Sequence, residues 1–174
     1  EIRDKATVDI ALKAALTGHL VFSTLHTNDA PSSITRLVNM GTPNYLISAA
    51  LTLIMAQRLA RKSCLDCRII DENITPKLLN SIGFLPEQSA RAKIYKGTGC
   101  EECSGSGYKG RMGIYEILEI DNELKAGILS NLQQTELNAI AKKNGFRTMQ
   151  DMGQDLLLSG DLSFAEYERV LQSN

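Results

Sequence analysis

The chain has no tryptophan, only four prolines among 174 residues, and no excess charge of either sign: nineteen Lys and Arg stand against twenty Asp and Glu, a formal net charge of −1. Without a basic surplus there is no overall field to draw in nucleic acid or an anionic membrane surface. Aromatic residues at 5% are too few for a base-stacking platform. The low proline content, with 22% charged and 43% hydrophobic residues, excludes a fibrous or disordered chain. Long apolar runs are lacking as well. None reaches the roughly 18 residues that a membrane span needs, and the opening "EIRDKATVDIALKAALTG" is too charged for a secretory signal peptide. There is no initiator Met, so a start at Glu1 that runs straight into helical periodicity reads as a fragment of a longer protein. What is left is a globular composition, long enough for one sizeable core or two small ones.

Three stretches of different character follow one another. Val8, Ala11, Leu12, Ala15 and Leu16 recur at helical spacing between Lys5 and Thr17, with Gly18 at the capping position. "HLVFSTLHT", residues 19–27, is apolar and β-branched almost throughout, which suits a strand buried on both faces of a parallel sheet. Asn28 or Asp29 caps a second helix that carries Pro31 in its first turn and runs to Met40, and Pro43 to Met55 reads as a third. From about Arg61 to Gly113, cysteines, glycines and polar turns take over, with too little apolar surface for a good core. "GIYEILEI" then reads as a strand. Four short helices are expected at Asp121–Ser130, Thr135–Asn144, Thr148–Ser159 and Ser163–Gln172, punctuated by Gly145 and Gly160.

The cysteines carry the strongest chemical signal. Cys64 and Cys67 form "CLDC", Cys100 and Cys103 form "CEEC", and no others occur; 32 residues, Arg68 to Gly99, separate the pairs. Two Cys-x-x-Cys turns supply the four corners of a tetrahedral zinc site. Gly105, Gly107 and Gly110 provide positive-φ turns around it, and Arg61, Lys62, Arg68, Lys96, Lys109 and Arg111 are near enough in sequence to offset thiolate charge. Two disulfides would use the same residues, but they do not persist in a reducing compartment. An iron–sulfur cluster or a redox dithiol also fits the residue types. Four protein ligands leave no position for water or substrate, so a zinc ion here stabilises rather than catalyses.

Catalytic chemistry is then sought in the first third. "EIRD" and "STLHTNDA" place Glu1 and His26 at adjacent carboxyl ends of a parallel sheet, where ligands bind in open α/β folds. A terminal Glu is more often a solvated charge, and a His following a strand is more often structural. His19, at the opposite strand end, has a still stronger structural reading.

Taken together, "EIRDKATVDIALKAALTGHLVFSTLHTNDAPSSITRLVNMG", "AQRLARKSCLDC", "GCEECSGSGYKGRMGIYEIL" and "GFRTMQDMGQDLLLSGDLSFAEYERVL" resemble, in unbroken order, the C-terminal half of bacterial secretion-motor ATPases, those of type II secretion and type IV pilus assembly. The resemblance implies an α/β fold, the C-terminal half of a RecA-like P-loop ATPase core. It divides the chain into core residues 1–62, a tetracysteine zinc subdomain at 63–112 and a small all-α subdomain at 113–174. It maps the Walker B glutamate, which acts with Mg2+ and the attacking water of ATP hydrolysis, onto Glu1, and the γ-phosphate histidine of the His box onto His26. The zinc ligands it implies are Cys64, Cys67, Cys100 and Cys103. Retraction motors of the superfamily generally lack this cysteine insertion, which favours secretion or pilus extension. The implied parent is a cytoplasmic hexameric ring, peripheral to the bacterial inner membrane, that works with secretion or pilus platform proteins to assemble pilins or pseudopilins.

Departures from the family pattern set limits. The phosphate-binding loop G-x-x-x-x-G-K-[ST] is absent, since "GSGYKGR" has Arg111 where the lysine belongs. The Asp box is missing, and "SFAEYERVL" differs from the acidic pair near the family's C-terminus. Without the loop, the chain alone is expected to hydrolyse ATP negligibly. Two competing readings are a stand-alone zinc module that binds protein or nucleic acid and a redox protein with free low-pKa thiols.

Overall fold

The computed structural model describes residues 1–172. Helix α1 (Lys5–Leu16) begins where the Asp4 carboxylate accepts from the Thr7 amide at 2.8 Å, and it ends at Thr17 with Gly18 beyond at φ 92°. Helix α2 (Ala30–Asn39) is capped in the same way: Asp29 accepts from the Ser32 amide at 2.7 Å, with a proline in the first turn. These side chains satisfy amides that a helix start otherwise leaves open. Helix α3 (Asn44–Ala50) is shorter than the expected Pro43–Met55, because the backbone extends at Leu51 and enters strand β1 (Leu53–Ser63). The apolar run there fits either period, and pairing with a distant strand decides it.

Strands β2 (Arg68–Ile70) and β3 (Tyr95–Gly97) pair antiparallel, Arg68 opposite Gly97, and helices α4 (Pro76–Ser81) and α5 (Pro86–Arg91) lie between them in sequence. Strand β4 (Tyr108–Glu119) contains all but the last residue of the expected "GIYEILEI" and pairs with β1. The final helices α6 (Asn122–Leu129), α7 (Gln134–Lys143), α8 (Met149–Ser159) and α9 (Phe164–Tyr167) fall where capping signals placed them, and α9 runs into a π-type turn at Glu168–Gln172.

The expected buried strand at 19–27 is a correction. Among the described residues this stretch belongs to no strand, and Leu20 and Phe22 are 82% and 87% exposed. Its apolar composition suits a sheet interior, but among the described residues its ladder-like contact is the bond from the Ile2 amide to the Thr24 carbonyl at 2.9 Å.

The chain forms two compact units, and neither is continuous in sequence. The first joins Glu1–Ala56 to Glu116–Arg147. Its core includes Val8, Leu12, Ile34, Ile47, Leu118, Leu124 and Leu137, with α6 packed on α3 and α7 on α2. Full burial of side chains such as Val8 and Ile47 contributes about 1.5–3 kcal/mol each. The buried Glu116 carboxylate accepts from the Ala30 amide at the start of α2, where a helix favours negative charge. The second unit joins Gln57–Tyr115 to the chain from Thr148 onward. There the cysteine-rich segment buries few apolar side chains of its own, among them Leu79, Phe84 and Ile94, and shares a unit with Leu157, Leu162, Phe164 and Tyr167 of the last helices. The contact pattern thus splits the four C-terminal helices between two units, whereas the linear reading kept them together.

Candidate functional site

Two backbone turns bring the cysteines together. Cys64 leaves β1 and donates its amide to the Gly107 carbonyl at 2.9 Å, and the Thr98 amide reaches the Cys67 carbonyl at 3.2 Å. A short 3-10 turn, Glu101–Cys103, closes the second pair, and Gly105 and Gly107 follow at φ 76°. Gly97 and Gly107 cross so closely that a Cβ on Gly97 would lie 2.6 Å from the Gly107 Cα. Only glycine fits that crossing.

All four Sγ atoms lie within 4.8 Å of one another. Cys64 and Cys100 are 3.8 Å apart, as are Cys67 and Cys103, and Cys100 and Cys103 are 3.7 Å apart. Metal–sulfur bonds of about 2.3 Å along tetrahedral directions set sulfurs about 3.8 Å apart, so the thiols fit a single zinc-sized ion. The cysteines are not joined in disulfides here; their Sγ separations of 3.7–3.8 Å lie well beyond a bonded distance of about 2.05 Å. A [4Fe–4S] cluster anchors each cysteine to a different iron, and a [2Fe–2S] cluster divides them two and two between its irons, so either would set some of the sulfurs farther apart than the edge of a single-metal tetrahedron.

Backbone amides supply the electrostatic support: Gly99 donates to Cys67 Sγ at 3.3 Å, and Cys100 and Gly107 each donate to Cys103 Sγ at 3.2 Å. Burial acts to raise the Cys103 thiol, but these amides and the neighbouring thiols bring it down to about 6. Burial pushes Cys64 up, and Cys100 up to about 12. The nearby cations are mostly engaged elsewhere: Arg61 with Glu166, Lys62 with Asp161, Lys96 with Asp71 and Lys109 with Glu102. These cations make their ion pairs away from the thiols, although Lys109 is still within electrostatic reach of Cys64, and the direct hydrogen bonds to the sulfurs come from backbone amides.

In the first unit, Glu1 and His26 meet. His26 Nε2 is 2.6 Å from Glu1 Oε1, and Arg3 is 2.7 Å from Glu1 Oε2. The Arg3 guanidinium, with His26 helping, holds the Glu1 carboxyl below its usual range. His19 sits apart, its Nδ1 3.1 Å from the Thr17 hydroxyl.

One cluster escaped the sequence. Glu166 is fully buried and bonds Arg61 and Arg169; Arg61 in turn lies 4.1 Å over the Tyr108 ring. Burial acts to raise the Glu166 carboxyl, but both guanidiniums and the Arg61 amide hold it at about 2. Its only sequence signal is Ser163-x-x-Glu166, which reads as an ordinary helix cap.

The profile of a family described as type II/IV secretion system protein matches residues 1–169. The chain belongs to that family. Among its curated relatives, the type IV pilus assembly ATPase PilB of Thermus thermophilus is 43% identical over 95% of this chain and 19% of its own length. PilB of Pseudomonas aeruginosa is 42% identical over 98% of this chain and 30% of its own length. Type II secretion system protein E of Aeromonas hydrophila is 38% identical over all of this chain and 34% of its own length. This secretion-system chain therefore spans between 19% and 34% of the length of those relatives. Its α/β fold is similar to that of the pilus retraction motor PilT in its ADP-bound crystal structure, with TM-score 0.62 and 25% identity over 97% of this chain and 37% of that one. The ATPase DotB of Legionella pneumophila shares the fold at TM-score 0.61 and 21% identity, over 97% of this chain and 36% of DotB. Among the described residues no helix is long and apolar enough to cross a membrane.

Proposed function

We propose that this chain is the C-terminal part of a hexameric ATPase that drives pilin or pseudopilin assembly from the cytoplasmic face of a bacterial inner membrane, in contact with secretion or pilus platform proteins. Residues 1–62 serve as the rear of a RecA-like nucleotide core, 63–112 as a zinc subdomain, and 113–174 as a helical C-terminal segment whose helices divide between the two compact units. Higher identity to assembly and secretion relatives than to the retraction motor supports this direction of work, as does the tetracysteine cluster. The observation that carries the reading is the Glu1–His26 pair at 2.6 Å, on two segments joined by the Ile2–Thr24 backbone bond.

Bound Mg–ATP supplies the phosphoanhydride whose hydrolysis releases the driving free energy. Glu1, kept ionised by Arg3, is an acceptor that orients a water for attack. His26, 85% exposed at its side chain, swings from Glu1 to donate a hydrogen bond to the terminal phosphate. The zinc site, held by Cys64, Cys67, Cys100 and Cys103, has no part in the chemical step and fixes the fold of the second unit.

The chain by itself lacks the lysine and amides of a phosphate-binding loop, so it turns over no ATP. In the full-length protein, Glu1→Gln abolishes hydrolysis while nucleotide still binds, and His26→Ala lowers turnover with binding largely kept. Wild-type turnover by Glu1→Gln would overturn the assignment.

A further inference from the structure

The contacts between the two halves of the second unit converge on the residues that flank the cysteines. Glu166 accepts from the Arg61 amide at 2.7 Å, from Arg61 Nε at 2.9 Å and Nη2 at 2.7 Å, and from Arg169 Nε at 2.8 Å. Just before Cys64, the Ser63 amide donates to the Asp161 carbonyl at 2.8 Å. Just after Cys67, Arg68 Nη1 reaches the carbonyls of Ser159 at 3.3 Å and Gly160 at 3.0 Å. Beside Gly107, whose amide faces Cys103, Tyr108 places its hydroxyl 3.1 Å from Ser163 Oγ, and Ser163 Oγ accepts from the Glu166 amide at 3.3 Å. Arg61 closes the circuit by stacking on Tyr108. The flanks of Cys64, Cys67 and Cys103 are thus all held by residues that follow Thr148, and one buried carboxylate ties the end of β1 to α9.

We propose that Glu166 is a positioning residue for the tetracysteine centre, and that metal occupancy and docking of residues 148–172 are linked through it. The inference rests on the metal-binding reading above. A buried anion that grips both the backbone and the guanidinium of Arg61 fixes the path of β1 three residues before its first thiol. Partners that hydrogen-bond a ligand directly typically change metal affinity by about 10–100-fold when lost; Glu166 acts one step further out, through Arg61, so its loss belongs at the low end of that range. Linkage is reciprocal, so whatever Glu166 contributes to metal affinity, the metal returns to docking of the C-terminal segment.

The test uses the 174-residue chain loaded with Zn2+. Affinity is read by competition with a chromophoric chelator at neutral pH for wild type, Glu166→Gln and Arg169→Met. Glu166→Gln is expected to lose about tenfold. Arg169→Met, which leaves the Arg61 bonds in place, loses less. In wild type, stripping the metal is expected to speed amide exchange in 149–172 by on the order of tenfold or more, while α1–α3 amides keep their protection. A merely structural Glu166 would lower the melting temperatures of loaded and stripped protein equally and leave the affinity alone, and that result overturns the proposal. So does unchanged exchange in 149–172, a comparison that stands even if Glu166→Gln fails to fold. Wild type that holds no stoichiometric metal defeats the metal reading and this inference together, whereas wild-type affinity in Glu166→Gln defeats the inference only.

Discussion

Replacing Gly97 with alanine is a sharp test of how the cysteine turns are built. Gly97 lies on β3 opposite Arg68, and its backbone is not in the left-handed region, so alanine's conformational preference is no obstacle. Space is the obstacle. The added methyl would sit 2.6 Å from the Gly107 Cα and 2.7 Å from its carbonyl carbon, both backbone atoms with no rotamer to yield. To reach normal contact the two strands must part by about 1 Å, an overpacking cost of about 1–3 kcal/mol. That shift also strains two bonds at Gly107, its amide to Cys103 Sγ at 3.2 Å and its carbonyl to the Cys64 amide at 2.9 Å, each contributing about 1 kcal/mol. The expected total is about 3–5 kcal/mol, which would appear as a lower melting temperature and at least about tenfold weaker zinc retention against a chelator. Gly105→Ala is the control: its added methyl meets nothing within 4 Å, and only the positive φ of 76° is penalised, by about 1 kcal/mol. If Gly97→Ala matched wild type in both measurements, the close crossing of Gly97 and Gly107 would not be what shapes the site.

Three other outcomes are expected. Glu166 titrates at about 2 against an ordinary 4.5. Its stabilisation is therefore complete above pH 4.5 and is lost as pH falls from there toward 2; the half-exposed guanidiniums hold it to about 2–3 kcal/mol. Urea unfolding should show the deficit of Glu166→Gln relative to wild type at full size near pH 7 and vanishing near pH 2, and a pH-independent deficit would refute this. Phe22→Ser should change the stability of this chain by less than about 0.5 kcal/mol in a thermal melt, because the ring is 87% exposed; a loss of several kcal/mol would mean the ring is covered. Gly153→Ala, although favourable for helix propensity, should destabilise by about 1–3 kcal/mol in the same assay, since its methyl would lie 2.5 Å from Leu171 Cδ1 and 2.8 Å from Tyr167 Cε2.

Helix boundaries were legible because they depend on local chemistry. Asp4, Asp29, Asp121, Thr148 and Ser163 each accept an amide at a helix start, and the residue types alone mark those positions. The cysteine pairs were legible for the same reason, since spacing within each turn fixes where the sulfurs point. Features that depend on distant partners were not. Residues 19–27 have the composition of a sheet interior but lie exposed here, and Leu51–Met55 changes from the expected helix to extended chain where β1 meets β4. Lys62 and Lys109 were assigned to the thiolates by proximity in sequence, yet Asp161 and Glu102 take them. Glu166 could not be distinguished from a surface acid, because its partner Arg61 is 105 positions away.

The interleaving of the two units bears on how the polypeptide emerges from the ribosome. Val8, Ile34 and Ile47 are synthesised long before Leu124 and Leu137, which complete their core, and Cys64 and Cys67 precede both Cys100 and Glu166. Each half waits for a distant segment, the first for residues up to Arg147 and the second for those from Thr148 onward, so nascent chains carry uncovered apolar faces until those segments are made. For the same reason no single proteolytic cut or recombination breakpoint between Ala56 and Thr148 releases either body intact.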